Sequence, residues 1–137
     1  MQSRVLKGIN SSYLYFPEDE VTILSAGKFS VSYLGADANS GTKVVIKKLS
    51  AKHRNNESAK LRFLIEASVQ VKHPGIVKTL DLIKDDESFY IIQEYIMGVD
   101  LKQMIKNNTF TNDNTLTCIF IIQLLHTLQA IHKENIL

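Results

Sequence analysis

A change of hydrophobic period constrains this chain most. Residues 21–26, 29–35 and 43–49 are strand-like runs, the last carrying Val44, Val45 and Ile46 in succession. Between the second and third, Asp37-Ala38-Asn39-Ser40-Gly41 gathers turn-forming residues of the hairpin kind. Over 57–72 the period becomes helical, with apolar Leu61, Leu64, Ile65, Ala67 and Val71. Asn55 or Asn56 can cap that helix, and His73-Pro74-Gly75 stops it, because a residue before proline avoids helix. Strands over 77–83 and 89–94 follow, joined by the polar turn Lys84-Asp85-Asp86-Glu87-Ser88. Short turns between successive strands favour antiparallel pairing. The expected fold is α+β, a five-stranded antiparallel sheet with one inserted helix.

Beyond the sheet, Asp100 with Gln103 three residues on is a capping box opening a short helix to about Asn107. A long helix is expected over 112–133. Its apolar residues, from Leu116 through Phe120 and Leu124 to Ile131, cover nearly every face, and such a helix belongs inside something larger. Self-association through residues 116–131 is therefore expected.

With 137 residues, 45% hydrophobic and 22% charged, the chain amounts to one ordinary domain. A formal charge of +2 with no long run of like charge points to no nucleic-acid partner. One cysteine, Cys118, excludes an internal disulfide and a cysteine-based zinc site, and its apolar surroundings predict burial. The four histidines show no ligand spacing. Residues 1–10 lack the apolar core of a signal peptide. The apolar run 119–125, broken by Gln123, is shorter than the ~20 residues of a membrane span. A cytoplasmic protein without a membrane partner is expected, with residues 1–19 as a lead-in.

Two phosphate motifs fail. Gly27-Lys28 invites a P-loop reading, but Thr22 stands at its first glycine and Phe29 at its Ser/Thr position. No G-x-G follows a strand and opens a helix, as a dinucleotide fingerprint requires.

A third motif series holds together. Leu24-Ser25-Ala26-Gly27-Lys28-Phe29-Ser30-Val31 resembles the protein-kinase glycine-rich loop G-x-G-x-x-G-x-V, and Val44-Val45-Ile46-Lys47 matches V-A-I-K on the next strand. Glu66 sits seven residues before His73-Pro74, where the kinase helix glutamate is expected. Gln93-Glu94-Tyr95-Ile96-Met97-Gly98 resembles the hinge, and the segment 131–137 is similar to the one preceding the H-R-D loop. The resemblance covers residues 20–137. It implies a kinase small lobe and hinge over 20–97 and the start of the large lobe over 98–137, with ATP as cofactor and, in an intact kinase, a protein substrate of the Ser/Thr type. Lys47 would contact the α/β-phosphates, oriented by an ion pair with Glu66. Ser25, Gly27, Phe29 and Ser30 would form the phosphate loop. Val31 and Val45 would sandwich the adenine, Gln93 would stand behind it, and Glu94 and Ile96 would meet its edge through their backbones. Asp100 would bond the ribose, cap the helix, or both.

The sequence also departs from the family. Serines replace the first and third loop glycines, and each would cost on the order of 1 kcal/mol were positive φ required there. Polar Gln70 and Thr79 occupy positions that are usually apolar in active kinases. No H-R-D or D-F-G lies within the 137 residues, so the catalytic base and magnesium-binding side chains are missing from them, and magnesium is expected only in the intact kinase. The chain alone is expected to hold ATP weakly and not to transfer phosphate. The alternative is a pseudokinase-like interaction module.

Overall fold

The computed structural model describes residues 2–136, which fall into two compact units. One runs up to Gln70 and resumes over Lys78–Tyr95, and the other comprises Val71–Val77 and the chain from Ile96 onward.

The first unit is built on an antiparallel sheet. Its strands are β1 (Arg4–Lys7), β2 (Ser12–Tyr15), β3 (Ile23–Ala26), β4 (Ser30–Asp37), β5 (Lys43–Leu49), β6 (Thr79–Lys84) and β7 (Phe89–Glu94), with helix α1 (Glu57–Ser68) inserted after β5. The α+β class and the inserted helix are those read from the sequence. The strand count among the described residues is seven rather than five, because the supposed lead-in forms the hairpin β1–β2. The order is β1-β2-β4-β5-β7-β6, and β3 pairs with β4. Strands β2 and β3 share one edge of β4 end to end, against Gly35–Asp37 and Val31–Tyr33 respectively. Gly35 permits the close approach of β2. A Cβ there would stand 2.9 Å from the Leu14 carbonyl oxygen and 2.5 Å from Ile46 Cδ1.

The sheet curls until its two ends meet. Asp81, on β6, is buried and accepts hydrogen bonds from the Asn10 amide at 2.9 Å, the Ile9 amide at 3.2 Å and the Tyr13 hydroxyl at 3.3 Å. Burial, with the Asp81 carboxylate beside it, pushes the Tyr13 hydroxyl up to about 12. Gly8 is required at this turn, since a Cβ there would lie 2.1 Å from Asp81 Oδ2. Arg4 of β1 pairs with Asp85 at 2.7 Å and with Glu87, both in the β6–β7 turn. Inside the curl lie Leu6, Tyr13, Tyr15, Val44, Ile46, Ile83, Tyr90 and Ile92.

On the other face, Leu49 and Ile91 pack against Phe63 and Ala67 of α1. Asn56 caps this helix by accepting from the Ala59 amide at 3.0 Å. The buried stripe is Ala59, Phe63 and Ala67, whereas Leu61 and Ile65, expected to face the core, are 59% and 53% exposed. The helix also stops four residues short of the expected Lys72. Val69 is extended and β-branched, and the Ser68 hydroxyl satisfies the Ile65 carbonyl at 2.7 Å. Gln70 thus lies beyond the helix and is exposed, so it needs no buried partner.

The second unit holds α2 (Leu101–Lys106) and α3 (Asn114–Lys133). Asp100 caps α2 through the Gln103 amide at 2.7 Å, while the Gln103 side chain turns to Asn107 instead of back to the cap. Asp113 caps α3 through the Leu116 amide at 2.7 Å. No residue of α3 is buried, and Cys118 is exposed, contrary to expectation. By sequence, the apolar run 119–125 is too short to span a membrane. As formed, α3 has 20 residues and contains an 18-residue stretch of mean hydropathy 1.4, long and apolar enough to cross one by length and composition alone.

Candidate functional site

Period-two alternation along β5 sends Val44 and Ile46 into the curled core and leaves Val45, Lys47 and Leu49 on the face that carries α1. Lys47 Nζ donates to both carboxylate oxygens of Glu66, in the middle of α1, at 2.6 and 2.7 Å. Both side chains are partly exposed, 23% for Lys47 and 42% for Glu66. The pair therefore orients more than it stabilises.

Beside the pair is a hollow of about 310 Å³ bounded by the β3–β4 turn and by α1. Gly27, Lys28, Phe29 and Ser30 line it from the turn, Lys47 from β5, and Ala59, Arg62, Phe63 and Glu66 from the helix. The Gly27 amide donates to the Ser30 carbonyl at 2.9 Å and closes the turn, and the Ser50 amide donates to the Phe29 carbonyl at 2.8 Å. Among the described residues, the Lys28 and Phe29 amides have no protein acceptor. The Phe29 ring packs against His53, in the link between β5 and α1, tilted at 56° with centroids 4.7 Å apart.

Positive φ is found at Gly41, Asn108, Asn112 and Asn135 among the described residues. Ser25 and Ser30 are not among them, so the strain anticipated for serine there does not arise. What the serines change is chemistry, since each adds a Cβ and a hydroxyl where a bare backbone was expected.

Strand register corrects one residue of the expected set. Val31 pairs with Lys48 and Ser32 with Lys47, so Val31 lies on the sheet face opposite to Val45 and Lys47. Counting G-x-G-x-x-G-x-V from Ser25 puts its valine position at Ser32, and Ser32 is the residue on the Lys47 face. A hydroxyl therefore stands where an apolar side chain was expected.

Val45 pairs with Leu34 on one side and Gln93 on the other, and Glu94 pairs with Val44. The Glu94 carboxylate accepts from the Lys78 amide at 2.8 Å. Ile96 and Asp100 belong to the second unit, where Ile96 is 64% exposed and Asp100 caps α2. The structure thus brings Gly27, Phe29, Ser30, Lys47 and Glu66 around one hollow and keeps Val45 and Gln93 as neighbours on the sheet. Sequence reasoning missed Arg62 and Lys28. Arg62 could have been found from its place one turn before Glu66, on the same helix face.

The hollow can accept an anion. Three cations line it against the single carboxylate of Glu66. No group of three or more His, Cys, Asp or Glu side chains able to hold a metal occurs among the described residues. The residues present thus suit phosphate and do not by themselves suit magnesium.

Known proteins resemble the chain over the same region. A family model described as the protein kinase domain matches residues 19–137. Serine/threonine-protein kinase B of Synechocystis sp. is 32% identical over 124 residues, which are 84% of this chain and 21% of that protein. Serine/threonine-protein kinase unc-51 of Caenorhabditis elegans is 29% identical over 119 residues, 83% of this chain and 14% of the relative. Serine/threonine-protein kinase cds1 of Schizosaccharomyces pombe is 26% identical over 141 residues, 98% and 29% of the two chains. The chain thus spans less than a third of the length of each of these relatives. With the family model matching most of its residues, the chain belongs to the protein kinase superfamily.

Proposed function

We propose that the first unit is the ATP-binding lobe of a Ser/Thr-type protein kinase working in the cytoplasm. The observation that carries this reading is the Lys47–Glu66 pair beside the β3–β4 turn. Lys47, held by Glu66, meets the α/β-phosphates, and the turn residues Gly27, Phe29 and Ser30 cover them. Val45 contacts the adenine, Gln93 stands behind it, the backbones of Glu94 and Ile96 meet its edge, and Asp100 reaches the ribose. ATP, when bound, supplies the phosphoryl group destined for a protein hydroxyl. The 137 residues hold no H-R-D and no D-F-G, so on their own they bind nucleotide weakly and do not transfer it.

Calorimetric titration with ATP, against a Lys47→Met control, tests the proposal. The expected result is measurable binding that falls about tenfold in Lys47→Met, as loss of a charged hydrogen bond predicts. ATP that fails to bind, or that binds the two chains equally, sinks it.

A second reading, a pseudokinase-like interaction module, draws support from Ser25, Ser30 and Ser32, which leave the turn with one of its glycines and without its apolar roof. Absent ATP binding with an intact fold is the outcome it expects. Either reading leaves the apolar α3 to be covered, and we infer that these 137 residues self-associate through residues 116–131. Ile119, Ile121, Ile122, Leu124 and Leu125, each about half exposed, are the contact. Light scattering at high micromolar concentration should show a dimer or larger species, and a monodisperse monomer would overturn that inference.

A further inference from the structure

Two of the three cations lining the hollow have no assigned task. Lys47 is taken by Glu66, the one carboxylate there. Among the described residues, neither Lys28 nor Arg62 has an acidic partner within 4.0 Å. We propose that Arg62, assisted by Lys28, binds the terminal phosphates of the nucleoside triphosphate. This rests on the nucleotide reading above and deepens it, replacing part of the backbone grip of a glycine loop with side-chain charge.

The state of the loop gives the reason. Phosphate gripping by such a turn needs free amides and no Cβ in the way. Here the Gly27 amide is spent on the Ser30 carbonyl, and Ser25 and Ser30 carry side chains. The free amides are those of Lys28 and Phe29, at the tip. A polyphosphate entering the hollow would therefore find few backbone donors and an excess of positive side chains. Arg62 lies one turn before Glu66, so both project from the same face of α1. Its planar guanidinium can take two phosphate oxygens at once, which a lysine ammonium cannot. Lys28 stands 5.2 Å from the Phe29 ring centroid, a cation–π contact that holds its charge along the turn. Arg62 is exposed and outside the buried stripe of α1, so replacing it leaves the packing of that helix untouched.

The experiment is calorimetric titration of the full chain with three probes: sodium tripolyphosphate, ATP and adenosine. Wild type is compared with Arg62→Gln, Arg62→Lys and Lys28→Gln, each checked by circular dichroism. Arg62→Gln should weaken ATP and tripolyphosphate about tenfold, the loss of one charged hydrogen-bonding group, and leave adenosine unchanged. Arg62→Lys should recover part of that loss, and Lys28→Gln should have the smaller effect. ATP bound equally by wild type and Arg62→Gln overturns the inference and leaves the nucleotide reading standing. Tripolyphosphate bound through Arg62, with adenosine not bound and ATP no tighter than tripolyphosphate, keeps the anion site and overturns the nucleotide reading. Absence of binding by all three probes overturns both.

Discussion

The two units use similar apolar residues to opposite effect. In the first, Val44, Ile46, Leu49, Tyr90, Ile91 and Ile92 are essentially inaccessible, sorted inward by strand alternation and closed over by a curled sheet. In the second, α3 is apolar on nearly every face and buries no residue, with Ile122 at 52% and Leu125 at 57% exposure. Apolar composition alone therefore predicts nothing about stability. What matters is whether the pattern is covered: the strands close over theirs, while among the described residues none of the side chains of α3 is buried.

Matched truncations should expose this contrast most strongly. Ile46→Ala removes a fully buried side chain and leaves a cavity among Tyr15, Val44 and Tyr90, at a cost of about 2–5 kcal/mol. Ile122→Ala, half exposed, should cost well under about 1 kcal/mol in dilute solution. Urea denaturation of both variants measures the difference. Equal losses would mean that α3 is already covered, which self-association at the working concentration would explain and dilution would reveal.

The same division decides what the sequence could disclose. Features set by neighbouring residues were legible: the Asn56 and Asp100 caps, the turn at residues 37–41, and the alternation that puts Lys47 opposite Val44 and Ile46. Features set across the chain were not. The hairpin β1–β2 shows only Leu6, Tyr13 and Tyr15 as core positions, and its anchor Asp81 lies about seventy residues away. Register was another failure, because a slip of one residue reverses every side chain. Placing Val31 on the Lys47 face is such a slip, since the register puts Ser32 there. The end of α1 depended on a competition between helical and extended Val69 that spacing could not settle. Of the candidate site, the Lys47–Glu66 pair followed from family spacing, whereas Arg62 carried no motif and emerged only with the hollow.

The long-range seam gives the next largest effect. Asp81→Ala strips a buried acceptor from the Ile9 and Asn10 amides and the Tyr13 hydroxyl, leaving those donors to find new partners. A loss of about 1–3 kcal/mol is expected, concentrated in the first unit. Hydrogen exchange should show the β1–β2 turn opening while the amides of α3 are unaffected. Faster exchange in α3 as well would mean that the two units unfold together, and the contrast drawn above would fail.

Acid tests the same seam more gently. Burial alone would raise Asp85, but the Ser88 and Glu87 amides and the Arg4 guanidinium outweigh it and hold its carboxyl below the usual range. The Arg4 hydrogen bond does the same for Glu87. Asp37 is also lowered, first by the Ser40 amide, and does not involve Arg4. A carboxyl whose folded pKa lies below its unfolded value binds fewer protons when folded, so it adds stability that is complete above the unfolded value, near 4. That stability is lost as pH falls through the lowered folded values. Unfolding midpoints should accordingly decline on acidification below about pH 5. Arg4→Gln removes the guanidinium from Asp85 and Glu87 and leaves Asp37 alone, so its decline should be shallower but not abolished. Because Arg4 and Glu87 are partly solvated, the gap between the two curves should be the smallest effect of the series. Identical curves would show that Arg4 contributes nothing to closing the sheet, and the seam would then rest on Asp81 and on the Asn10 side chain, which donates to the Leu80 carbonyl at 2.6 Å.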